Sequence, residues 1–292
     1  MAAPPPLFDR ALIRQRLARA RKTPAHFLLD RATADFEERL SLVSRPFPRA
    51  LDLGTPGPQV AAALRMNERI VFRAAPLRES ASPPLSMVAD EEALPFAGNS
   101  FDLIVSALSL QWANDLPGVL VQIRRALKPD GLFLAALVGG QSLAELRTAL
   151  TSAEAELTGG ASPRVAPFAD VRDLGRLLQR AGFALPVTDV EPIIVRYASM
   201  FALMQDLRAM GATNALSERS RVPLRRAVVL RAAEIYAERF ADPDGRVRAT
   251  FDIVWLSGWA PHESQQKPLA PGSARMRLAD ALNATEGTLP RD

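Results

Sequence analysis

Few residues of this 292-residue chain could carry out chemistry, because it has no cysteine and only two histidines. The lack of cysteine excludes disulfides, thiolate metal ligands and a cysteine nucleophile. A metal site built on histidine is not expected, since His26 and His262 stand near opposite ends of the chain. The adjacent His262 and Glu263 could exchange protons with a substrate, or they could anchor the C-terminal segment through hydrogen bonds.

A loop that follows an apolar run is a second candidate site. Residues 49–53 form a short run that ends at Gly54, a pattern typical of a buried parallel strand. In an open parallel sheet, ligands bind outside the carboxyl ends of the strands. The loop from Leu51 to Pro58 is therefore a candidate ligand-binding loop.

The elements that would position this loop alternate between strand and helix patterns. Strands are predicted over 49–53, 69–74, 85–89, 101–107 and 132–138, with helices over 60–65 and 116–127. Such alternation predicts an α/β fold with a doubly wound parallel sheet. In this arrangement, the loops after the strands gather at one edge of the sheet.

Helical patterns flank this alternating region on both sides. They cover residues 10–22, 26–43, 143–157 and 170–181. Two further strands, 185–197 and 247–256, enclose a helical stretch, which predicts an insertion between adjacent antiparallel strands. We divide the chain into N-terminal helices (1–45), a core (46–140), the remaining sheet with its insertion 198–245 (141–264) and a tail (265–292). We expect residues 258–265 to fold back against the site mouth, because Trp259 is too apolar to remain in water.

The charge pattern bears on partners and location. The net charge is +4, and the arginines are spread along the chain instead of forming a stripe, so we expect no nucleic-acid partner. An acidic protein or lipid partner stays open.

No apolar run reaches the length of a membrane span. The Arg-rich residues 10–22 share their composition with transit peptides, but we interpret them as an amphipathic helix of a cytoplasmic protein, with peripheral association at the inner membrane left open.

Four motifs add a family resemblance to this pattern. RALDLG at 49–54, VADEEALPF at 88–96, NSFDLIVS at 99–106 and LKPDG at 127–131 resemble the class I S-adenosylmethionine-dependent methyltransferases. The resemblance implies a Rossmann-like fold with a seven-stranded, mostly parallel sheet. It also implies S-adenosylmethionine as the cofactor.

Further motifs make the resemblance more specific. LFDR at 7–10, GGQSLAELR at 139–147, SPRVAPF at 162–168 and GWAPHESQQKP at 258–268 are similar to the methyltransferase-like assembly factor 5 family of respiratory complex I. The similarity runs from residue 7 to about 274. It implies a complex I subunit with a target arginine as partner and, for the eukaryotic members, arginine hydroxylation instead of methylation. The chain also resembles malonyl-carrier-protein methyltransferases of biotin synthesis.

The resemblance places the cofactor site and shows where this chain departs from the pattern. The implied cofactor-binding residues are Asp52, Gly54, Gly57, Asp90 and Leu108. Pro56 and Pro58 stand where the family's loop has its second and third glycines, and proline removes an N–H donor and adds a ring. The acid that binds the ribose falls on Ala75, and Glu79 is too far along the chain. We therefore predict weak or no binding of S-adenosylmethionine.

Three functions remain open at this point. The protein could modify a protein arginine, it could chaperone a complex I subunit without a cofactor, or it could methylate a small molecule or carrier protein. The resemblance places Trp112 over the methyl-donor end of the site, and Trp112, His262 and Glu263 are the candidate catalytic residues. Asp90, Asp170, Asp173 and Glu263 are candidates for guiding a basic segment, because carboxylates receive guanidinium groups bidentately.

Overall fold

The computed structural model describes residues 5–66, 69–78, 85–266, 273, 276 and 280. The chain divides into two compact units, Met1–Pro261 and His262–Asp292. The fold described below is that of the first unit.

A seven-stranded sheet forms the centre of this unit. The strands are β1 (Arg49–Leu53), β2 (Ile70–Ala75), β3 (Ser86–Val88), β4 (Phe101–Ala107), β5 (Leu127–Gly139), β6 (Ala184–Tyr197) and β7 (Val247–Trp259). Their order is β3-β2-β1-β4-β5-β7-β6. Neighbours from β3 to β5 pair in parallel, whereas β7 runs antiparallel to both β5 and β6. The predicted seven-stranded, mostly parallel sheet is confirmed.

Helices cover both faces of the sheet. They are α1 (Arg10–Ala20), α2 (Phe27–Ser41), α3 (Gln59–Arg65), α4 (Leu116–Ala126), α5 (Ala144–Thr158), α6 (Val171–Arg180), α7 (Met200–Ala209) and α8 (Arg226–Phe240), with a 3-10 turn at Leu110–Trp112. The predicted helical insertion is confirmed, because α7 and α8 lie between β6 and β7 in the chain. Among the described residues, no helix combines the length and the apolar character needed to cross a bilayer.

The packing explains why the central strands are apolar on both sides. One face of the sheet packs on α4 and α6, through residues such as Leu51, Val119 and Leu174. The other face packs on α2 and α3, through residues such as Phe36 and Val60. Strands buried on both faces bear near-continuous apolar side chains, as the sequence of β4 does.

Two strands extend several residues beyond the sequence prediction, whereas the other strand boundaries differ by at most one residue. β5 begins at Leu127 instead of 132, because Leu127 pairs with Phe101 before an irregularity at the start of the ladder, and Asp130 takes a positive φ of 64°. β7 extends to Trp259 instead of ending at 256. The prediction that Trp259 belongs to a folded-back tail is therefore wrong: its ring lies 6.3 Å from that of Phe47 and packs on the sheet core.

The contact between β7 and α2 can be tested by stability measurements. Trp255 is 2% exposed and packs edge-to-face on Phe36, with ring centroids 4.9 Å apart. We expect Trp255→Ala to lower the free energy of unfolding by about 3–5 kcal/mol, because it leaves a cavity in the core. Urea denaturation followed by circular dichroism measures this loss. The control is Ile194→Ala on β6, where the side chain is 59% exposed and a change within about 0.5 kcal/mol is expected. Equal losses in the two variants would contradict the prediction.

Candidate functional site

A cavity opens at the carboxyl ends of the strands. It measures about 1170 Å³, a volume that includes the solvent at its mouth. On the sheet side it is lined by Gly54, Pro56, Pro76, Leu108 and Ser109, and residues of α1, the start of α2 and the end of α7 cover it. This edge is where ligands bind in open parallel sheets.

Gly54 is the point where the first loop touches this cavity. Its φ is +73°, a left-handed conformation that glycine adopts without strain. A side chain there would also meet obstacles, since a Cβ would lie 2.3 Å from Oγ of Ser109 and 2.6 Å from Oε1 of Glu91. The Ser109 and Glu91 side chains therefore fill the space beside the loop.

Behind the loop lies a buried ion pair. Arg73 of β2 is 2% exposed, and its Nε lies 3.1 Å from Oδ2 of Asp52 on the neighbouring strand β1. Its Nη2 donates to the carbonyl oxygens of Thr55 and Gly57, both at 2.8 Å. One guanidinium thus binds the carboxylate of Asp52 and two carbonyl groups of the loop.

Sequence reasoning missed Arg73, although a signal was present. A lone arginine stands in the otherwise apolar run of β2, and a buried charge requires an opposite charge nearby. The parallel register pairs Arg73 with Asp52. The lone arginine therefore indicated that an acidic residue on a neighbouring strand should pair with Arg73.

The residues at the ends of β1 and β2 differ from those that the family resemblance implies for a cofactor site. Ala75 is buried and offers no carboxylate for a ribose, and Glu79 lies outside the described residues. Pro56 lines the cavity and has no N–H to donate. Of the residues implied to bind the cofactor, Gly54 and Leu108 line the cavity, whereas Asp52 and Gly57 contact Arg73. The end of β2 thus carries an alanine at the position where the resemblance implies a ribose-binding acid.

Asp90 and Glu91 are placed together and hold an arginine of α1. Nη2 of Arg10 lies 2.6 Å from Oδ1 of Asp90 and 2.5 Å from Oε2 of Glu91. Its Nη1 donates to the carbonyl oxygen of Trp112 at 3.3 Å. Arg14 also contacts Asp90, at 3.3 Å. Burial by itself lowers the pKa of Arg10, but the negative charges of Glu91 and Asp90 outweigh it, so the pKa is raised.

Trp112 lines the cavity and is covered by the segment that precedes α1. Its ring packs edge-to-face on Phe8, with centroids 5.3 Å apart. The side chain of Asn114 fixes the main chain of Phe8: it accepts from N at 2.7 Å and donates to O at 3.2 Å. Asp115 caps α4, because its side chain accepts from the Gly118 N–H at the start of that helix.

The remaining predicted residues lie in other surroundings. Asp170 caps α6 and Asp173 forms an exposed pair with Arg176, and neither lines the cavity. His262 and Glu263 belong to the second unit and are exposed, and Nδ1 of His262 lies 2.8 Å from Oγ of Ser264. A catalytic role for these two residues stays a prediction.

Comparison with known proteins defines the class of protein to which this chain belongs. Residues 60–135 match the family model described as a methyltransferase domain. The YcgJ protein of Bacillus subtilis superposes with a TM-score of 0.52 at 12% identity, over 80% of this chain and 99% of that one. BH2331 from Bacillus halodurans gives a TM-score of 0.51 at 15% identity, over 78% of this chain and 98% of that one. The chain has the class I methyltransferase fold.

Its relatives define the family within that class. "Arginine-hydroxylase NDUFAF5, mitochondrial" of Homo sapiens is 42% identical over 94% of this chain and 83% of its own length. The protein of the same name from Danio rerio is 41% identical over 94% of this chain and 89% of its own length. A malonyl-[acyl-carrier protein] O-methyltransferase of Laribacter hongkongensis is 39% identical over 66% of this chain and 62% of its own length. The chain belongs to the NDUFAF5 arginine-hydroxylase family.

The buried ion pair gives a prediction about stability. We expect Arg73→Gln to lower the free energy of unfolding by about 3–5 kcal/mol, because it leaves the buried carboxylate of Asp52 without this opposite charge. The double variant Asp52→Asn/Arg73→Gln should lose less, since both charges are removed. Urea unfolding of the single and double variants measures the coupling between them.

An exposed ion pair provides the matched control. Arg176 lies 3.3 Å from Asp173 at the surface, and Arg176→Gln should cost at most about 1 kcal/mol. If the losses of Asp52→Asn and Arg73→Gln, each measured alone, simply add in the double variant, the two buried charges do not stabilise each other and the prediction is wrong.

Proposed function

We propose that this protein acts in the assembly of respiratory complex I by binding a subunit segment that carries an arginine. The observation that supports the proposal is the placement of Asp90 and Glu91, whose carboxylates bind a guanidinium at the edge of the cavity. The NDUFAF5 relatives are named as arginine hydroxylases, which fits a site that receives arginine. The segment would be met at the cytoplasmic face of the inner membrane.

Recognition precedes chemistry in this proposal. Asp90 and Glu91 would hold the guanidinium through charge-assisted hydrogen bonds, which are about twice as strong as neutral ones. Trp112 and the apolar residues around it would exclude water from the arginine side chain. These contacts serve a chaperone that only binds the segment and an enzyme that goes on to modify the arginine. The residues that bind the arginine would therefore be the same in either case.

Deletion of the gene in its host tests the assembly role. We expect less assembled complex I on native gels and lower rotenone-sensitive NADH oxidation in membranes. Wild-type protein should restore both, and the variant Asp90→Asn/Glu91→Gln should not, because its amides carry no charge to attract guanidinium. Asp173→Asn, an exposed acid away from the cavity, is the matched control and should restore both. Unchanged complex I in the deletion strain would overturn the role.

We further propose that S-adenosylmethionine binds weakly or not at all. A charge-assisted hydrogen bond to the ribose is worth about 1.5–3 kcal/mol, so its loss at Ala75 weakens binding roughly tenfold to a hundredfold. Pro56 and Pro58 remove N–H donors from the loop. Together these changes would move a micromolar dissociation constant to about millimolar.

Calorimetric titration tests the cofactor proposal. We expect no heat of binding from the wild type at micromolar concentrations, and a gain of binding in Pro56→Gly/Pro58→Gly/Ala75→Asp. The control variant carries Ala75→Asn in place of Ala75→Asp, which keeps the shape but removes the charge, and it should bind more weakly than the triple variant. Micromolar binding by the wild type would contradict the proposal. It would return the chain to the active methyltransferases, including those acting on a small molecule or carrier protein.

A further inference from the structure

We propose that Arg10 is an internal ligand of the arginine-binding site. Its guanidinium occupies the Asp90–Glu91 pair, and α1 must release it before an arginine of the partner can bind there. The inference rests on the proposed function, because it concerns the same two carboxylates.

The contacts of Arg10 are those of a bound ligand. Its guanidinium reaches three acceptors: the two carboxylates and the carbonyl oxygen of Trp112. The Arg10 side chain is 15% exposed and that of Glu91 only 4%. Arg10 and Glu91 both line the cavity at the strand ends. A guanidinium is therefore seated at the place where the fold binds its ligands.

The acceptors are held in place by groups other than Arg10. Oε1 of Glu91 accepts from Oγ of Ser109 at 2.7 Å, which fixes the carboxylate from its other side. Oδ1 of Asp90 accepts from the main-chain N–H of Glu92 at 3.0 Å. Departure of Arg10 would leave both carboxylates oriented, and a preorganised site binds a replacement with a smaller loss of entropy.

A further acceptor beside the cavity is unused. Oε1 of Gln111 is buried and has no hydrogen-bond partner in the described part of the chain, whereas Nε2 of the same amide donates to the carbonyl of Leu108. Buried polar atoms normally have partners, and each exception calls for an explanation. A guanidinium carries five N–H donors, so an arginine entering the cavity could supply one.

α1 is fastened firmly before its start and more lightly along its length. Phe8 is buried and its main chain is fixed by Asn114. Within α1 itself only Ile13 and Ala20 are buried, and the helix carries four arginines and no acid.

Release requires only rotation of the Arg10 side chain, since Ile13 and Leu17 can stay packed and Arg16 can keep its hydrogen bond to the carbonyl of Thr213. The main cost of release is then the loss of the Arg10 contacts. An incoming arginine would form the same kinds of contact with the two carboxylates and the carbonyl oxygen of Trp112.

Competition by Arg10 should reduce the affinity for an external arginine. An apparent dissociation constant rises in inverse proportion to the fraction of molecules whose site is free. If Arg10 occupies the site in nine molecules of ten or more, its removal should raise the affinity by about tenfold or more.

N-acetyl-L-arginine amide, titrated into the full-length protein by calorimetry, is the probe for this competition. We expect Arg10→Gln to bind it about tenfold more tightly than the wild type does. Arg19→Gln is the matched control, because Arg19 lies on the same helix, is exposed and does not line the cavity. It should stay within about threefold of the wild type. Adding Glu91→Gln to Arg10→Gln should abolish the gain, and N-acetyl-citrulline amide, which is uncharged, should not bind.

The outcomes separate this inference from the proposed function. Equal affinity of the wild type and Arg10→Gln for the arginine probe would overturn the internal ligand. So would a gain that survives Glu91→Gln. If Arg10→Gln fails to fold, Arg10→Lys decides, since lysine keeps the charge but lacks the planar fork and should give a smaller gain. The gene deletion tests the assembly role by itself: intact complex I would refute that role whatever the probe binding shows.

Discussion

A buried arginine constrains this molecule more than any other single group. The guanidinium of Arg73 cannot lie in an apolar sheet unless its charge and its N–H groups are matched, because an unmatched buried charge costs several kcal/mol. Asp52 on the adjacent strand supplies the charge, and the carbonyls of Thr55 and Gly57 accept further hydrogen bonds. One side chain thereby joins β1, β2 and the loop between β1 and α3. The shape of the cavity beside that loop follows from this arrangement.

Arginines also determine how the other wall of the cavity is built. Arg10 brings α1 against Asp90 and Glu91, while Ser109 orients Glu91 from the sheet side. Glu91 reaches so close to Gly54 that only glycine fits there. The carboxylate of Glu91 thus closes the loop side of the cavity and also offers charge to a guanidinium. Recognition of arginine and packing of the cavity are therefore properties of the same few atoms.

The sequence predicted what depends on local periodicity and motif order, and it did not predict what depends on contacts distant in the chain. The alternation of apolar runs was enough for the strands, and the helical stretch between the last two strands was enough for the insertion. The motifs implied the seven-stranded, mostly parallel sheet that the structure contains. Arg10 on α1 and Asp90 in a loop are far apart in the chain, so no short sequence pattern relates them. Their contact exists only in the folded protein. The Arg73–Asp52 pair needed the strand register. Trp259 was misplaced because a strand end is set by its partner strands and not by its own residues.

The Arg73 pair also bears on which substitutions this chain tolerates one at a time. Asp52 and the carbonyls of Thr55 and Gly57 all contact the guanidinium of Arg73. A change at either Asp52 or Arg73 alone therefore costs stability, because it removes one of two matched buried charges. Only a simultaneous change at both positions avoids that cost. Epistasis of this kind favours retention of the pair as the sequence diverges, and with it the course of the loop beside the cavity.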